Sequence, residues 1–212
     1  MQRNSPFAEV SFSNHIWAVG SIHSHLHAFE RVKKYILNNF CEKDKIIFLG
    51  NIIGVGSFAK ETLSSVLDLR LKLMAKFCLN SNDIIFLRGA QEEMFLKLLQ
   101  IQTAPNPNEI LNWMYEHGVD KTILSYGLNP DKLIEISTQG TIPLTKWTSD
   151  LNKIVINKHG HIEYFSKLCH AAFTKSKLVL FVNRGVDVTR PLSAQNDCFW
   201  WGYHNFSNLN QP

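Results

Sequence analysis

Polar residues follow each of four short apolar segments, and their types could do chemistry. The turns after these segments read Gly20-Ser-Ile-His-Ser24, Gly50-Asn-Ile-Ile-Gly-Val-Gly56, Gly89-Ala-Gln-Glu-Glu93 and Asn183-Arg-Gly-Val-Asp187. In an open α/β sheet, ligands bind in the crevice beyond the carboxyl ends of the strands. Hydroxyl, imidazole, amide, carboxylate and guanidinium groups in these turns therefore predict that the functional site lies there.

The elements that must position these turns are strands and helices in alternation. The apolar segments at 15–19, 46–49, 84–87 and 178–182 are rich in β-branched residues, which is typical of buried strands of a mixed sheet. Amphipathic helices follow the first three, and Ser24 and Ser57 are expected to cap the first two. A strand, a glycine turn and a helix repeated three times predict a layered α/β fold.

A different pattern covers residues 104–158. Pro105, Pro107, Pro130 and Pro143 separate short helical pieces there, which predicts a helical cap insertion over one edge of the sheet. We find no linker, internal repeat or low-complexity segment. We therefore predict a single domain over residues 1–212 that contains the helical cap insertion at 104–158.

Composition excludes several classes of protein. The chain has 212 residues, a formal charge of +4 and 19% charged residues, without charge blocks. These values argue against a disordered acidic module and against nucleic-acid binding. No apolar run reaches the ~20 residues of a membrane span, and no secretory signal pattern opens the sequence. Its four cysteines are widely spaced, as is typical of free thiols in a reducing compartment, so we expect a cytoplasmic location without membrane association.

The order and spacing of the turns resemble the calcineurin-like metallophosphoesterases, in particular the bacterial serine/threonine phosphatase and diadenosine tetraphosphatase type. That family shows GDxHG, GDxxDRG, GNHE, a strand ending in HAG and a late GHTP-type histidine. Matching context includes Ile47-Phe-Leu-Gly50, Ile85-Phe-Leu-Arg-Gly89, Glu92-Glu-Met-Phe95, Leu124-Ser-Tyr-Gly127 and Arg190-Pro-Leu192. The resemblance extends over about residues 16–200 and implies a sheet sandwich flanked by helices, with a shortened C-terminal part.

The resemblance also implies metal-dependent hydrolysis of phosphate esters, but this sequence lacks the residues that such hydrolysis needs. The family uses two divalent metals, such as manganese, to activate a water for attack on a phosphate. At the matching positions, Ser21 and Asn51 replace metal-binding aspartates, Ala90 replaces an asparagine and Asn183 replaces a histidine, while His23 is kept. Neutral groups do not offset the charge of two dications, so no metal is expected.

The groups that act on the phosphate are replaced as well. Gln91 stands for the histidine that protonates the leaving group, Gly54 for the aspartate that orients it, and Val55 for an arginine. Gly202 matches a further arginine in a looser alignment, and Glu92 matches a supporting glutamate. The prediction is a catalytically inactive pseudophosphatase that acts as a binding or structural subunit. The alternative is a weak metal-dependent phosphoesterase acting on phosphoproteins or dinucleoside polyphosphates.

Three histidines leave one more alternative open. His23, His25 and His27 follow the first strand, and two histidines separated by one residue also occur in metal sites at strand ends. Matched to the family, His25 and His27 fall in the first turn of a helix, where residues two apart point in different directions. The other interpretation is a hydrogen-bonded His23 with two packed or solvated neighbours.

We therefore define a strand-end site without catalytic groups or a metal. Its Arg184 offers a planar fork of donors that could bind an anion in place of the metals, or it could be an ordinary surface arginine. The residues of the strand-end site are Ser21, His23, Asn51, Gln91, Glu92, Asn183 and Arg184.

A dense aromatic segment, residues 199–206, follows the last predicted strand. Trp200 and Trp201 predict contact with a protein partner or a second copy, since tryptophan is common at interfaces. In the alternative interpretation, they fold back over the sheet.

Overall fold

The computed structural model describes residues 6–195 and 197–202. Its strands are β1 (Phe7–Val10), β2 (Ile16–Val19), β3 (Lys45–Phe48), β4 (Ile84–Phe86), β5 (Ala171–Thr174) and β6 (Leu180–Phe181). Its α-helices are α1 (Leu26–Asn39), α2 (Ala59–Phe77), α3 (Ala90–Leu98), α4 (Pro107–Glu116), α5 (Val119–Ser125), α6 (Pro130–Ser137), α7 (Thr141–Ile156), α8 (His161–Ser166) and α9 (Cys198–Trp201).

The strands form two three-stranded sheets. In one sheet β2, β3 and β4 lie side by side and parallel. In the other, β5 lies between a parallel β1 and an antiparallel β6. A bridge between Leu87 and Cys169 joins the sheets just after β4. The predicted α/β class, a layered sheet sandwich flanked by helices, is confirmed.

Side chains of strand β3 alternate between the helix layer and the second sheet. All four of its residues are buried, as expected for a parallel strand that is covered on both faces. Ile46 and Phe48 belong to the large core that includes α1 and α2, whereas Ile47 joins Val10 and Ala172 of the second sheet. Alternation along the strand sends neighbouring side chains to opposite faces. The resulting order is helices, first sheet, second sheet.

Several local predictions are wrong. The strand predicted at 178–182 is reduced to β6 at a sheet edge, where Leu178 is 85% exposed. Neither Ser24 nor Ser57 caps a helix, since α1 and α2 have His25 and Phe58 at their N-cap positions. Ser24 adopts a φ of 61°, whereas a capping residue has extended backbone. Strands β1 and β5 were not predicted, because their apolar runs are short.

The range predicted as a helical insertion contains α4 to α7. These helices contribute buried residues such as Leu111, Ile123, Leu133 and Leu151 to the main core. None of the helices formed by the described residues is long and apolar enough to cross a bilayer.

A buried histidine links α8 to α2 and α5. The Nδ1 atom of His161 lies 2.8 Å from Tyr126 Oη, and its Nε2 atom lies 3.0 Å from Ser64 Oγ. Ser64 donates its only hydroxyl proton to the carbonyl of Lys60, so Nε2 must donate to Ser64. This direction is opposite to the one that would activate a serine nucleophile, and the network is therefore structural. Burial lowers the pKa of His161 to about 4, with help from nearby lysines.

Stability should depend on pH through His161. Its folded pKa of about 4 lies below the ordinary 6.5, so the unfolded chain binds more protons between these values and stability falls as pH falls through them. His161→Gln keeps a donor and an acceptor but does not titrate. From about pH 7 to about pH 4.5, we expect wild type to lose about 2 kcal/mol more than this variant in urea unfolding. Equal losses would contradict the assignment.

Candidate functional site

The turns after β2, β3 and β4 lie against one another at the carboxyl edge of the first sheet. The backbone N–H groups of Ile22 and His23 donate to the carbonyl of Asn51 at 3.0 and 2.8 Å. A Cβ atom at Gly50, whose φ is +91°, would lie 2.6 Å from the nitrogen of Gly89. The backbones of the second and third turns thus approach too closely for any side chain at this point.

The carboxylate of Glu92 joins the second and third turns. One oxygen accepts hydrogen bonds from the N–H groups of Asn51 and Gly89 at 2.7 and 3.0 Å. The other accepts from Ile52 and Ile53 at 2.8 and 3.4 Å. Glu92 is fully buried, and this burial raises its pKa against the opposing effect of the four donors. Glu92 therefore holds the second and third turns together through these hydrogen bonds.

Four residues of these turns other than glycine adopt left-handed backbone conformations. Their φ angles are 50° at His23, 61° at Ser24, 54° at Asn51 and 58° at Val55. For a β-branched residue such as Val55 this conformation is a true outlier, with a cost of about 1–3 kcal/mol. Strain of this kind persists only where the surrounding contacts hold the backbone in place.

The side chain of Asn51 is the centre of a hydrogen-bonded amide cluster. Its Oδ1 accepts from the backbone N–H of Gln91 at 3.0 Å. Its Nδ2 lies 3.3 Å from Ser21 Oγ and 3.4 Å from Asn183 Oδ1, to which it donates. Asn183 in turn donates to the carbonyl of Leu49 at 2.7 Å. The structure thus brings together residues from all four predicted turns as neutral groups that are joined by hydrogen bonds through Asn51.

The side chain of Gln91 fills the space that a side chain at position 54 would need. A Cβ atom on Gly54 would lie 1.9 Å from Gln91 Oε1. Gln91 is buried, and its Nε2 donates to the carbonyl of His117 at 3.0 Å. With Gln91 in this position, residue 54 can only be glycine.

The helical insertion reaches the strand-end site at the corner between α4 and α5. A Cβ atom on Gly118 would lie 2.7 Å from the Cα of Val55. The ring of His117 packs against that of Trp113 at 4.5 Å, and Trp113 packs against Trp201 at 5.7 Å. His117 was not singled out from the sequence, because no local motif indicates that this helix end meets the second turn.

His23 lies half-buried beside the turns. Burial and the charge of His25 lower its pKa, and its Nδ1 atom is buried without a partner among the described residues. His25 and His27 are exposed, and His27 packs edge-on against Phe58 at 5.7 Å. Within residues 6–195 and 197–202, no three His, Cys, Asp or Glu side chains group as metal ligands. The donors present do not fit a dinuclear metal centre.

Arg184 and the two tryptophans differ in exposure. Arg184 is exposed, and its guanidinium forms no hydrogen bond or ion pair with the described part of the chain, while its N–H donates to the carbonyl of Phe199. Trp200 is 5% exposed, and the guanidinium carbon of Arg88 lies 5.5 Å from the centre of its ring. Trp201 is half-buried, so a ligand or partner can reach it more readily than Trp200. Residues 203–206 of the aromatic segment lie outside the described residues.

Comparisons with known proteins returned solved structures only. No protein-family profile matches the sequence, and no curated protein matches it. A protein described as a candidate diadenosine tetraphosphatase is 14% identical, with a TM-score of 0.45, over 89% of this chain. A serine/threonine phosphatase from Saccharomyces cerevisiae with similarity to human phosphatase PP5 is 17% identical, with a TM-score of 0.45, also over 89%. The chain spans 59% and 45% of these two proteins.

Replacing the carboxylate of Glu92 should loosen the turns. In Glu92→Gln an amide NH₂ would face backbone N–H donors, so we expect a loss of about 2–4 kcal/mol in the free energy of unfolding, measured with urea. Glu93→Gln is the matched control, because that carboxylate forms ion pairs with Arg88 and Lys97 and has no hydrogen bond to the turns in the described part of the chain. Its loss should be about 1 kcal/mol or less. Equal losses for both variants would contradict the supporting role of Glu92.

Proposed function

We propose that this chain is a catalytically inactive calcineurin-like phosphoesterase, a pseudophosphatase that acts as a binding or structural subunit through its strand-end site. The observation that carries this proposal is the amide cluster around Asn51. Sequence motifs match the metallophosphoesterase turns in order and spacing, while the groups that the family's chemistry needs are replaced one by one.

The charge of the site supports binding rather than hydrolysis. Hard dications require anionic oxygen ligands to offset the loss of their hydration. Asn51 is neutral where the family has a bridging carboxylate, and its side chain already bonds to Ser21 and Asn183. The carboxylate of Glu92 is fully occupied by backbone donors.

A weak metal-dependent phosphoesterase is the second candidate. It is favoured by one observation, the unpartnered Nδ1 of His23 on an imidazole whose pKa is lowered. A neutral imidazole nitrogen is a common metal ligand. Such an enzyme would act on phosphoproteins or dinucleoside polyphosphates, as the resemblance implies.

Metal stoichiometry separates the two candidates. After incubation with excess manganese and desalting, we expect less than about a tenth of an ion per chain by elemental analysis, because the donors are neutral. A variant with Ser21→Asp, Asn51→Asp, Ala90→Asn and Asn183→His serves as the positive control, since it regains the donor types. One or more ions on wild type, lost in His23→Ala, would favour the enzyme instead.

Arg184 should dominate the binding of a small anion. Its guanidinium is exposed and unpaired with described residues, and charge-assisted bonds to phosphate are strong. In a calorimetric titration with inorganic phosphate, we expect Arg184→Ala to weaken binding about tenfold or more. The control is Arg31→Ala, an exposed arginine on α1. If Arg184→Ala binds phosphate as wild type does, the anion proposal fails.

A protein partner or second copy at the aromatic segment stays a prediction. Within the described residues, Trp201 is the part of that segment best placed for contact, since Phe199 and Trp200 are buried.

A further inference from the structure

A cleft of about 1150 Å³ runs along the open edge of β4, the last strand of the first sheet. Helix α2 and the segment from the end of α7 through α8 line it from the helix layer, and β1 lines it from the second sheet. Its lining includes none of the residues of the strand-end site. We call it the edge cleft and define it by Glu9, Arg70, Leu71, Ile84, Phe86 and Ile156.

Backbone groups of β4 point toward this cleft. The N–H of Leu87 donates to a carbonyl of β3, whereas the N–H of Arg88 donates to the carbonyl of Cys169 on the other side of the strand. Every second residue of a strand directs its backbone groups to the same edge, so Ile84 and Phe86 direct their N–H groups away from β3. Neither N–H bonds to any part of the chain that the structure describes.

Helix α8 is the reason that this edge stays open. Cys169 lies opposite Leu87 as a parallel neighbour, so Lys167 would lie opposite Ile85 if the strand extended backwards. Instead α8 extends to Ser166, and the chain leaves the sheet there. An unpaired strand edge is a template for another extended chain.

The helix layer indicates which side chains such a chain should carry. Leu71 and Ile156 are apolar side chains of the cleft that are 49% and 58% exposed. Arg70 is half-buried beside Leu71, and its guanidinium forms no hydrogen bond or ion pair with a described residue. A half-buried cation without a counter-charge favours a ligand that brings a carboxylate.

The other charged side chains of the cleft do not supply that carboxylate. Arg88 is already paired with Glu93 at 3.0 Å. The remaining charged side chains that line the cleft are exposed to solvent, and they are Glu9, Glu163 and Lys167. Arg70 is therefore the charge of the cleft that an added strand would neutralise.

From these observations we propose that the edge cleft binds an extended segment of a partner protein, which pairs with β4 as an added strand and carries an acidic residue two positions from an apolar one. Residues two apart on a strand lie on the same face, so the acidic side chain reaches Arg70 while the apolar one covers Leu71 and Ile156. Main-chain bonds supply affinity in this mode of recognition, and alternate side chains supply specificity. The inference goes beyond the proposed function, because it uses no residue of the strand-end site.

A charge swap tests the side-chain part of this proposal. The probe is a fluorescein-labelled peptide, Thr-Glu-Thr-Val-Thr-Val, titrated with the full chain and followed by fluorescence anisotropy. Arg70→Ala should weaken its binding about tenfold or more. Arg70→Glu should reverse the preference and favour the peptide with Lys in place of Glu. Arg31→Glu is the matched control, because it makes the same change at an exposed arginine of α1 and should keep the wild-type preference.

Hydrogen exchange tests the added strand. With the Glu peptide bound, the amide protons of Ile84 and Phe86 should exchange at least about tenfold more slowly, because their N–H groups then donate to the peptide. Leu87 is the internal control, since its N–H already donates to β3.

Outcomes separate this inference from the proposed function. Equal binding of the Glu and Lys peptides by wild type, or unchanged exchange at Ile84 and Phe86, overturns the added strand. A dimer in light scattering that Arg70→Glu dissociates would assign the edge cleft to a second copy, and would also overturn the partner segment. None of these results bears on the strand-end site, whose inactivity is tested by the manganese stoichiometry.

Discussion

The buried carboxylate of Glu92 is the interaction on which the site depends. A carboxylate without water is stable only when donors surround it, and here four backbone N–H groups from two turns supply them. Three of these bonds fix consecutive residues of the second turn, beginning with Asn51, whose φ is 54°. Glu92 lies in the first turn of α3, so the helix, both turns and the sheet edge are fixed as one unit.

Within that frame, several side chains of the strand-end site fit one another. Asn51 bonds to residues of the first and last turns, and Gln91 lies over Gly54 where no side chain could stand beside it. Polar groups that are buried without a hydrogen-bond partner are costly. The side chains of Asn51 and Asn183 are paired here, whereas Gln91 Oε1, His23 Nδ1 and Ser24 Oγ are buried without a partner among the described residues.

The helical insertion gives the site features that the turns do not contain. His117 accepts a hydrogen bond from Gln91, and its ring extends the surface of Trp113 and Trp201. Trp200, the residue directly before Trp201 in the same short helix, is instead buried under Arg88. Neighbouring tryptophans thus have different surroundings, since Trp200 packs in the core with Ala171 of β5 and Trp201 lies against Trp113.

The sequence alone determined the α/β class and the meeting of the polar turns, because Ile46 to Phe48 and similar runs need burial on both faces and parallel strands end at one edge. It did not determine the caps at Ser24 and Ser57, the exposure of Leu178 or the position of His117. Each of these depends on contacts between residues far apart in the chain. Local propensity predicts the secondary structure that a segment prefers. Which turns, helix ends and side chains meet depends on the packing of segments that are distant in the sequence.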